Sequence, residues 1–397
     1  MDYKEKYLYY KQKYLLLKYG QTGGGKKLCI IFNNKYNMKE RDRFPKVYFL
    51  NFLTKRLEEN GYEIILLKED YPNEIKKIME TRKIDLILNF EDYYIRFSRH
   101  FHSNLNMKDV YQFYLDLEKK GVKIYPPPKF HIYTNSKSYA LELYKNNELV
   151  LPHSKVFKLK KDKKEWTKIY NHCKKLKQLC DFTVIKVSFS ADMIDIFYVR
   201  NDKTKTINKF IEFEEFDKVR ELYNSYIEKD ELDLVIIVQP YNKIVSQRDN
   251  EYRMWYINDK FVDYFCFGPE RNSKGELVRL IENQKYNQNN DIHKNIKFMG
   301  DKLYEFIKQK IRKHMNDNNF KIIALRLDMS YAVDDLFLDK YTVTINDKKY
   351  RFYCNELENI DGTFYINIPI TDTTNNKKFD TRFFQNTLTN AIINYLD

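Results

Sequence analysis

Between residues 26 and 128, short apolar runs alternate with amphipathic stretches. KLCIIFN, YEIILL, IDLILNF and VKIYPPP are too short for stable helices and rich in aliphatic and aromatic residues, which predicts buried strands. PKVYFLNFLTKRLEENG, NEIKKIMETRK and MKDVYQFYLDLEKKG instead place apolar residues at three- and four-residue steps, the period of a helix with one buried face. Gly61 and Gly121 supply helix stops, and prolines 126–128 end the last strand. Strand and helix in alternation predict a parallel sheet with helices on its faces.

After Pro128 the pattern changes. NSKSYALELYKNN reads as a helix beginning at a Thr134/Asn135 cap. HSKVFKL, FTVIKVS, DIFYVR and LVIIVQPY read as strands, with helices near 163–180 and 214–228. Two hairpins follow, YRMWYI–ND–KFVDYFCF and KYTVTI–NDK–KYRFYCNELE, separated by a helix near 298–315 and the strand ALRLDMS. A final amphipathic helix spans about 381–396, and no internal repeat is evident. The expected class is mixed: an N-terminal parallel α/β domain at 26–128, then α+β lobes with antiparallel sheets at 129–241 and 242–397.

Residues 1–25 stand apart. Tyr3, Tyr7, Tyr10, Tyr14 and Leu17 form a heptad seam surrounded by lysines, and QTGGG then breaks the helix. Such a segment suits docking to a partner protein or self-association; with fewer than three heptads it also fits a frayed tail. The Tyr–Lys heptad followed by glycines resembles N-terminal extensions on proteins of mimivirus-like giant DNA viruses.

Composition narrows the function classes. Hydrophobic residues make up 43% and charged residues 32% of the 397, enough for folded domains with real cores. No apolar run approaches the roughly 20 residues that cross a bilayer, and MDYKEKYLYY lacks the apolar core of a signal peptide. The five cysteines are scattered, with no zinc spacing, so reduced thiols in a cytoplasm-like compartment are expected. His100 and His102 flank Phe101 without a nearby cysteine or acidic partner. The net charge of +14 is spread along a chain that is also rich in Asn, Ile and Tyr, the products of A/T-rich codons. Without a helix-turn-helix, zinc-finger or RNA-recognition signature, specific nucleic-acid binding is not expected.

Candidate chemistry lies in the second half. Alternation along ALRLDM puts Arg326 and Asp328 on one strand face and Leu325, Leu327 and Met329 on the other. Glu356 and Glu358 repeat that spacing in YCNELEN. On neighbouring strands, three carboxylates and a guanidinium would converge, and carboxylates so close need a hard divalent cation such as Mg²⁺. Further upstream lie Lys137, Lys186 within an apolar strand, and the strand LVIIVQPY, which ends at Gln239-Pro240 where amide edges could face a flat ring.

In this order the set resembles the ATP-grasp superfamily of carboxylate–amine ligases, over roughly residues 26–396. The resemblance implies a two-lobed fold after the N-terminal domain, with ATP and Mg²⁺ as cofactors. It makes Lys137 and Lys186 the phosphate-contacting lysines, and Val238, Gln239 and Tyr241 the hinge that reads adenine. Arg326 and Asp328 match the family's R-x-D strand, and Glu356 and Glu358 its E-x-N metal ligands. Arg253, after the hinge, is a further nucleotide contact. Asp328, Glu356 and Glu358 would hold metal, while Arg326 and Lys186 would steady charge on the transferring group. The implied reaction activates a small-molecule or peptide carboxylate as an acyl phosphate and joins it to an amine. Two positions depart from the pattern: the loop after Lys186 reads VSFSAD, without glycine, and Glu358 replaces asparagine. A kinase acting on a hydroxyl, or a non-catalytic interaction or virion protein, are the rival readings. The acceptor would be chosen by loops such as 92–106 and 268–292, which carry no specificity motif.

Overall fold

The computed structural model describes residues 27–32, 46–67, 71–90, 106–160, 165–189, 196–200, 210–212, 215–230, 233–246, 250–271, 277–283, 289–359 and 382–396. The N-terminal heptad, His100, His102 and most of loop 92–106 lie outside these residues. Strands β1 (Lys27–Phe32), β2 (Tyr62–Leu67), β3 (Leu86–Asn89) and β4 (Lys123–Tyr125) form a parallel sheet in the order β2-β1-β3-β4. Helices α1 (Lys46–Glu59), α2 (Tyr71–Met79) and α3 (Met107–Lys119) lie between them in the chain, as parallel pairing requires. The two central strands, β1 and β3, are almost wholly apolar because both faces are covered, whereas the edge strand β2 leaves Leu66 exposed. Cys29, Ile31, Leu86 and Leu88 pack with α1 and the last helix, α9 (Arg382–Leu396); Leu28, Ile30 and Ile87 pack with α2 and α3.

The next segment differs from expectation. Strand β4 ends at Tyr125, directly before the prolines as expected, but Pro128 then opens helix α4 (Pro128–Asn135), where its fixed φ suits the first turn and no N–H is needed. Thr134 and Asn135 are therefore the last turn of α4, not an N-terminal cap, and the Thr134 hydroxyl donates to His131 O at 2.9 Å. Helix α5 (Tyr139–Leu143) follows. Lys137 sits in the turn between the two helices with φ +53°, not at a helix start.

Strands β5 (Lys155–Leu159), β6 (Phe182–Val187), β7 (Phe197–Arg200), β8 (Phe210–Glu212) and β9 (Leu234–Pro240) make a second sheet, ordered β5-β9-β6-β7-β8. Helices α6 (Trp166–Lys177) and α7 (Phe216–Asp230) cover one face, burying Ile185, Val187, Leu234, Ile236 and Val238. The third sheet is antiparallel: β10 (Glu251–Ile257), β11 (Lys260–Arg271), β12 (Leu277–Asn283), β13 (Ala324–Ala332), β14 (Val343–Ile345) and β15 (Lys348–Glu358), ordered β12-β11-β10-β13-β15-β14. Its hairpin turns, Asn258-Asp259 and Asn346-Asp347, have φ positive at both residues, the geometry that two-residue turns between twisted strands require. Helix α8 (Asp291–Met315) presses Ile296, Leu303, Tyr304 and Ile307 onto Met254, Tyr256, Leu325 and Leu327. Gly300 lets α8 approach closely; a Cβ there would lie 2.4 Å from Met254 Sδ. The architecture is the predicted combination of a parallel α/β unit and antiparallel sheets.

One buried cation ties these parts together. Arg351 on β15 has no exposed surface and donates to the carbonyls of Asn147, Glu148 and Val150, in the segment before β5, and its Nε lies 2.9 Å from Asp339 Oδ1. Removing the guanidinium leaves several buried acceptors without a donor. Arg351→Ala is expected to lower unfolding free energy by about 3 kcal/mol or more, measured by urea titration, with Arg351→Lys recovering only part of the loss.

Candidate active site

The third sheet carries its polar residues on the face turned away from α8. Strand pairing places Arg253 beside Asp328 and Trp255 beside Arg326 on one side, and Glu358 beside Arg326 and Glu356 beside Asp328 on the other. Since β13 lies between β10 and β15, one row of alternating positions from each strand meets there. Glu251, two residues before Arg253, joins the row and had no signal in the sequence beyond its spacing; Arg253 Nε donates to it at 3.2 Å.

Arg326 is the centre of the cluster. Its Nε and Nη2 donate to Asp328 Oδ1 and Oδ2 at 2.7 and 2.8 Å, and Nη2 also reaches Glu358 Oε2 at 2.7 Å. The guanidinium lies 5.9 Å from the Trp255 ring centroid. Arg326 and Asp328 are only 3% and 2% exposed, so neither charge would be tolerated without the other. Asp328, Glu356 and Glu358 each offer one oxygen, and the three oxygens lie within 4.8 Å of one another. This all-oxygen donor set suits a hard cation such as Mg²⁺.

Two lysines reach the same face from other elements. Lys137 Nζ donates to Glu356 Oε1 at 2.6 Å, although its backbone comes from the α4–α5 turn. Lys186 projects from β6 on the face opposite Ile185 and Val187, and its Nζ donates to Asn355 Oδ1 at 2.9 Å. Both are buried, at 4% and 7% exposure. Burial lowers the Lys186 pKa against the pull of Glu356, and Lys137 lowers it further. Burial opposes ionisation of Glu356 too, but Lys137 and Lys186 outweigh it and hold that carboxyl at about 2. Burial and the neighbouring Asp328 and Glu356 push the Glu358 carboxyl up to about 8 against the pull of Arg326. Glu251 is likewise raised, mainly by burial.

The loop after Lys186 begins with an answer to its lack of glycine. Phe189 itself takes φ +57°, its N–H donates to Asn135 O at 2.7 Å, and its ring is buried in the core of the parallel sheet. Ser188 Oγ donates to Ser136 O at 2.8 Å, so the loop base is stitched to the turn that carries Lys137. Residues 190–192 lie outside the described residues.

The hinge residues divide. Val238 turns its side chain into the small-sheet core and has strand neighbours on both sides. Gln239 shares the Lys186 face and accepts from the Tyr144 hydroxyl at 3.4 Å. Tyr241 N–H is taken by Phe182 O at 2.9 Å. Bonded positions recur every second residue in an antiparallel ladder, so Gln239 also points to β6. The Pro240 carbonyl then points to the other edge, where β5 pairing stops at Lys155 opposite Val238. A surface cavity of about 480 Å³, lined by Glu118, Gly121, Val122, Lys123, Ile124 and Tyr395, shares no residue with this cluster.

The fold has relatives among solved structures. D-cycloserine synthetase superposes with a TM-score of 0.52 at 10% identity, over 93% of this chain and 100% of that one. D-alanyl-alanine synthetase A from Vibrio cholerae gives 0.48 at 12% identity, over 93% and 99%. D-alanine–D-alanine ligase from Bacillus anthracis gives 0.46 at 13% identity, over 94% and 97%. No protein-family profile and no curated protein matches the sequence. The fold is shared with D-cycloserine synthetase. Fold likeness at such identity leaves substrate and reaction to be argued from the site.

The two perturbed glutamates act on stability with opposite signs. Glu356 titrates below its ordinary 4.5 when folded, so its contribution is full above that pH and lost as pH falls towards 2. Glu356→Gln is expected to cost about 3 kcal/mol at neutral pH, and progressively less below pH 4.5. Glu358 titrates higher when folded, so it destabilises increasingly as pH rises from 4.5 to about 8. Glu358→Gln should therefore gain on the wild type across that interval. Urea unfolding at a series of pH values measures both slopes.

Proposed function

We propose that this protein is an ATP- and Mg²⁺-dependent ligase that joins a carboxylate to an amine, releasing ADP and phosphate. The observation that supports it most is the convergence of two buried lysines, from separate elements, on a sheet face holding Arg326 and three carboxylates within 4.8 Å. A solvated sheet face would need neither the burial nor the opposed lysines. In this reading residues 26–128 form the N-terminal domain, 129–241 the small lobe and 242–397 the C-terminal lobe.

Each group has a role that its chemistry suits. Lys137 and Lys186 bind phosphate oxygens as point charges, and Arg253 lies close enough to assist. Asp328, Glu356 and Glu358 hold the metal. The backbone near Gln239 and Tyr241, with the Pro240 carbonyl on the open edge and Val238 behind it, receives the adenine. Bound Mg-ATP supplies the phosphoryl group that converts a substrate carboxylate into an acyl phosphate, open to attack by an amine. Arg326, fixed by Asp328 and Glu358, presents a preorganised positive charge where negative charge develops. No protein nucleophile is required.

Nucleotide binding is the first test. ATP with Mg²⁺ at about one hundred times Kd is expected to stabilise the protein by about 2.7 kcal/mol, read as a rise in melting temperature. Asp328→Asn should abolish the Mg²⁺-dependent part of that rise. With small-molecule and peptide carboxylates plus amines, turnover should release free phosphate. Phosphate retained on an acceptor hydroxyl would mark a kinase instead, and no stabilisation by nucleotide at all would refute the proposal.

A further inference from the structure

Strand β15 is one residue out of step with β13. Asp328 pairs with Glu356 and Met329 with Cys354, so Asn355 has no opposite residue and forms a β-bulge. The bulge changes which face β15 presents. Cys354, before it, packs with Met329 and Phe352 in the core beneath the sheet, whereas Glu356 and Glu358, after it, stand with Arg326 and Asp328. Asn355 itself is half-buried and meets Lys186 twice, through Oδ1 at 2.9 Å and through its own carbonyl at 3.4 Å. Among the described residues, these are the hydrogen bonds of the Lys186 ammonium. Lys137, in contrast, is held by a carboxylate.

We infer that Asn355 is a positioning residue, which aims Lys186 at the nucleotide phosphates without setting a further carboxylate against its charge. The inference rests on the nucleotide reading given above. Residue type is central to it. Lys186 is 7% exposed, and an ammonium so placed needs an acceptor. An aspartate would provide one but also cancel the charge meant for phosphate. A leucine or alanine would leave the ammonium to swing towards Glu356, already bonded to Lys137. An asparagine amide accepts the hydrogen bond and stays neutral. The bulge matters equally, since regular pairing would turn residue 355 to the opposite face from Glu356.

Calorimetric titration with Mg-ADP and with adenosine, which lacks the phosphates, tests this. Asn355→Ala is expected to weaken Mg-ADP binding about tenfold, while adenosine binding stays as in the wild type. Asn355→Asp keeps side-chain shape and should also weaken Mg-ADP, by quenching charge instead of losing aim. In a Lys186→Ala background the Asn355→Ala change should have little further effect, because the asparagine acts through the lysine. Equal losses for adenosine and Mg-ADP, or full additivity with Lys186→Ala, would show a merely structural role and overturn the inference. A wild-type protein that binds Mg-ADP no differently from Asn355→Ala also overturns it while leaving the nucleotide reading intact. A wild-type protein that binds neither ligand overturns both.

Discussion

Opposite charges buried together govern the arrangement of this molecule. Glu251, Asp328, Glu356 and Glu358 supply four carboxylates to one sheet face, and Lys137, Lys186, Arg253 and Arg326 supply four cations. Each would be costly to bury alone, and several kcal/mol per ion is the usual scale. The cost is offset only where partners meet at hydrogen-bond distance, and that demands strands in fixed register. Order β10-β13-β15 supplies it, with Arg326 and Asp328 on the middle strand able to reach both neighbours. A slip of one residue on β13 would turn Arg326 and Asp328 into the α8 core and expose Leu325 and Leu327. Hydrophobic patterning beneath the sheet and charge pairing above it thus select the same register.

The cations from outside the sheet arrive by less regular routes. Lys137 stands in a left-handed turn between two short helices, and Phe189 takes the same conformation just beyond Lys186. Such conformations cost a non-glycine residue on the order of 1 kcal/mol, and here tertiary contacts offset it. Phe189 buries its ring in the parallel-sheet core while its N–H donates to Asn135 O, two residues before Lys137. The two lysines are therefore positioned with reference to each other as well as to the carboxylates, and three separate cores contribute to one site.

Much of this was legible in the residues because period and turn chemistry act locally. Alternation in ALRLDM and ELE placed Arg326, Asp328, Glu356 and Glu358 on one face, and the Asn-Asp pairs at 258–259 and 346–347 marked the hairpin turns. What escaped depends on partners distant in sequence. Nothing within YCNELEN signals the bulge, which exists because β13 and β15 fall out of step after Asp328. Glu251 reads as an ordinary strand-end acid until β10 is laid beside β13. Thr134 and Asn135 look like a helix start, yet Pro128 had already set a helix going six residues earlier. Strands β8 and β12 lack a distinctive pattern, and α8 starts at Asp291 rather than near 298, capped by Asn290, whose side chain accepts from Ile292 and His293 N–H within a polar stretch.

The chain's +14 charge and the site's charge are separate matters. Four acids face four bases, and burial keeps Glu358 largely protonated near pH 7, so the cluster carries only a small net charge and a bulk positive potential is not what would draw a nucleotide there. Attraction would have to come from donors held at fixed positions, which act over a hydrogen-bond length and are strengthened by burial. Glu358 serves this arrangement as an acceptor more than as a charge. Its Oε2 lies 2.7 Å from Arg326 Nη2 and carries the Arg326–Asp328 pair across to the neighbouring strand. Burial and the nearby Asp328 and Glu356 meanwhile oppose its ionisation until pH rises towards 8. The fourth carboxyl group thus adds a partner for a guanidinium 3% exposed beside Trp255 without adding a full negative charge at neutral pH.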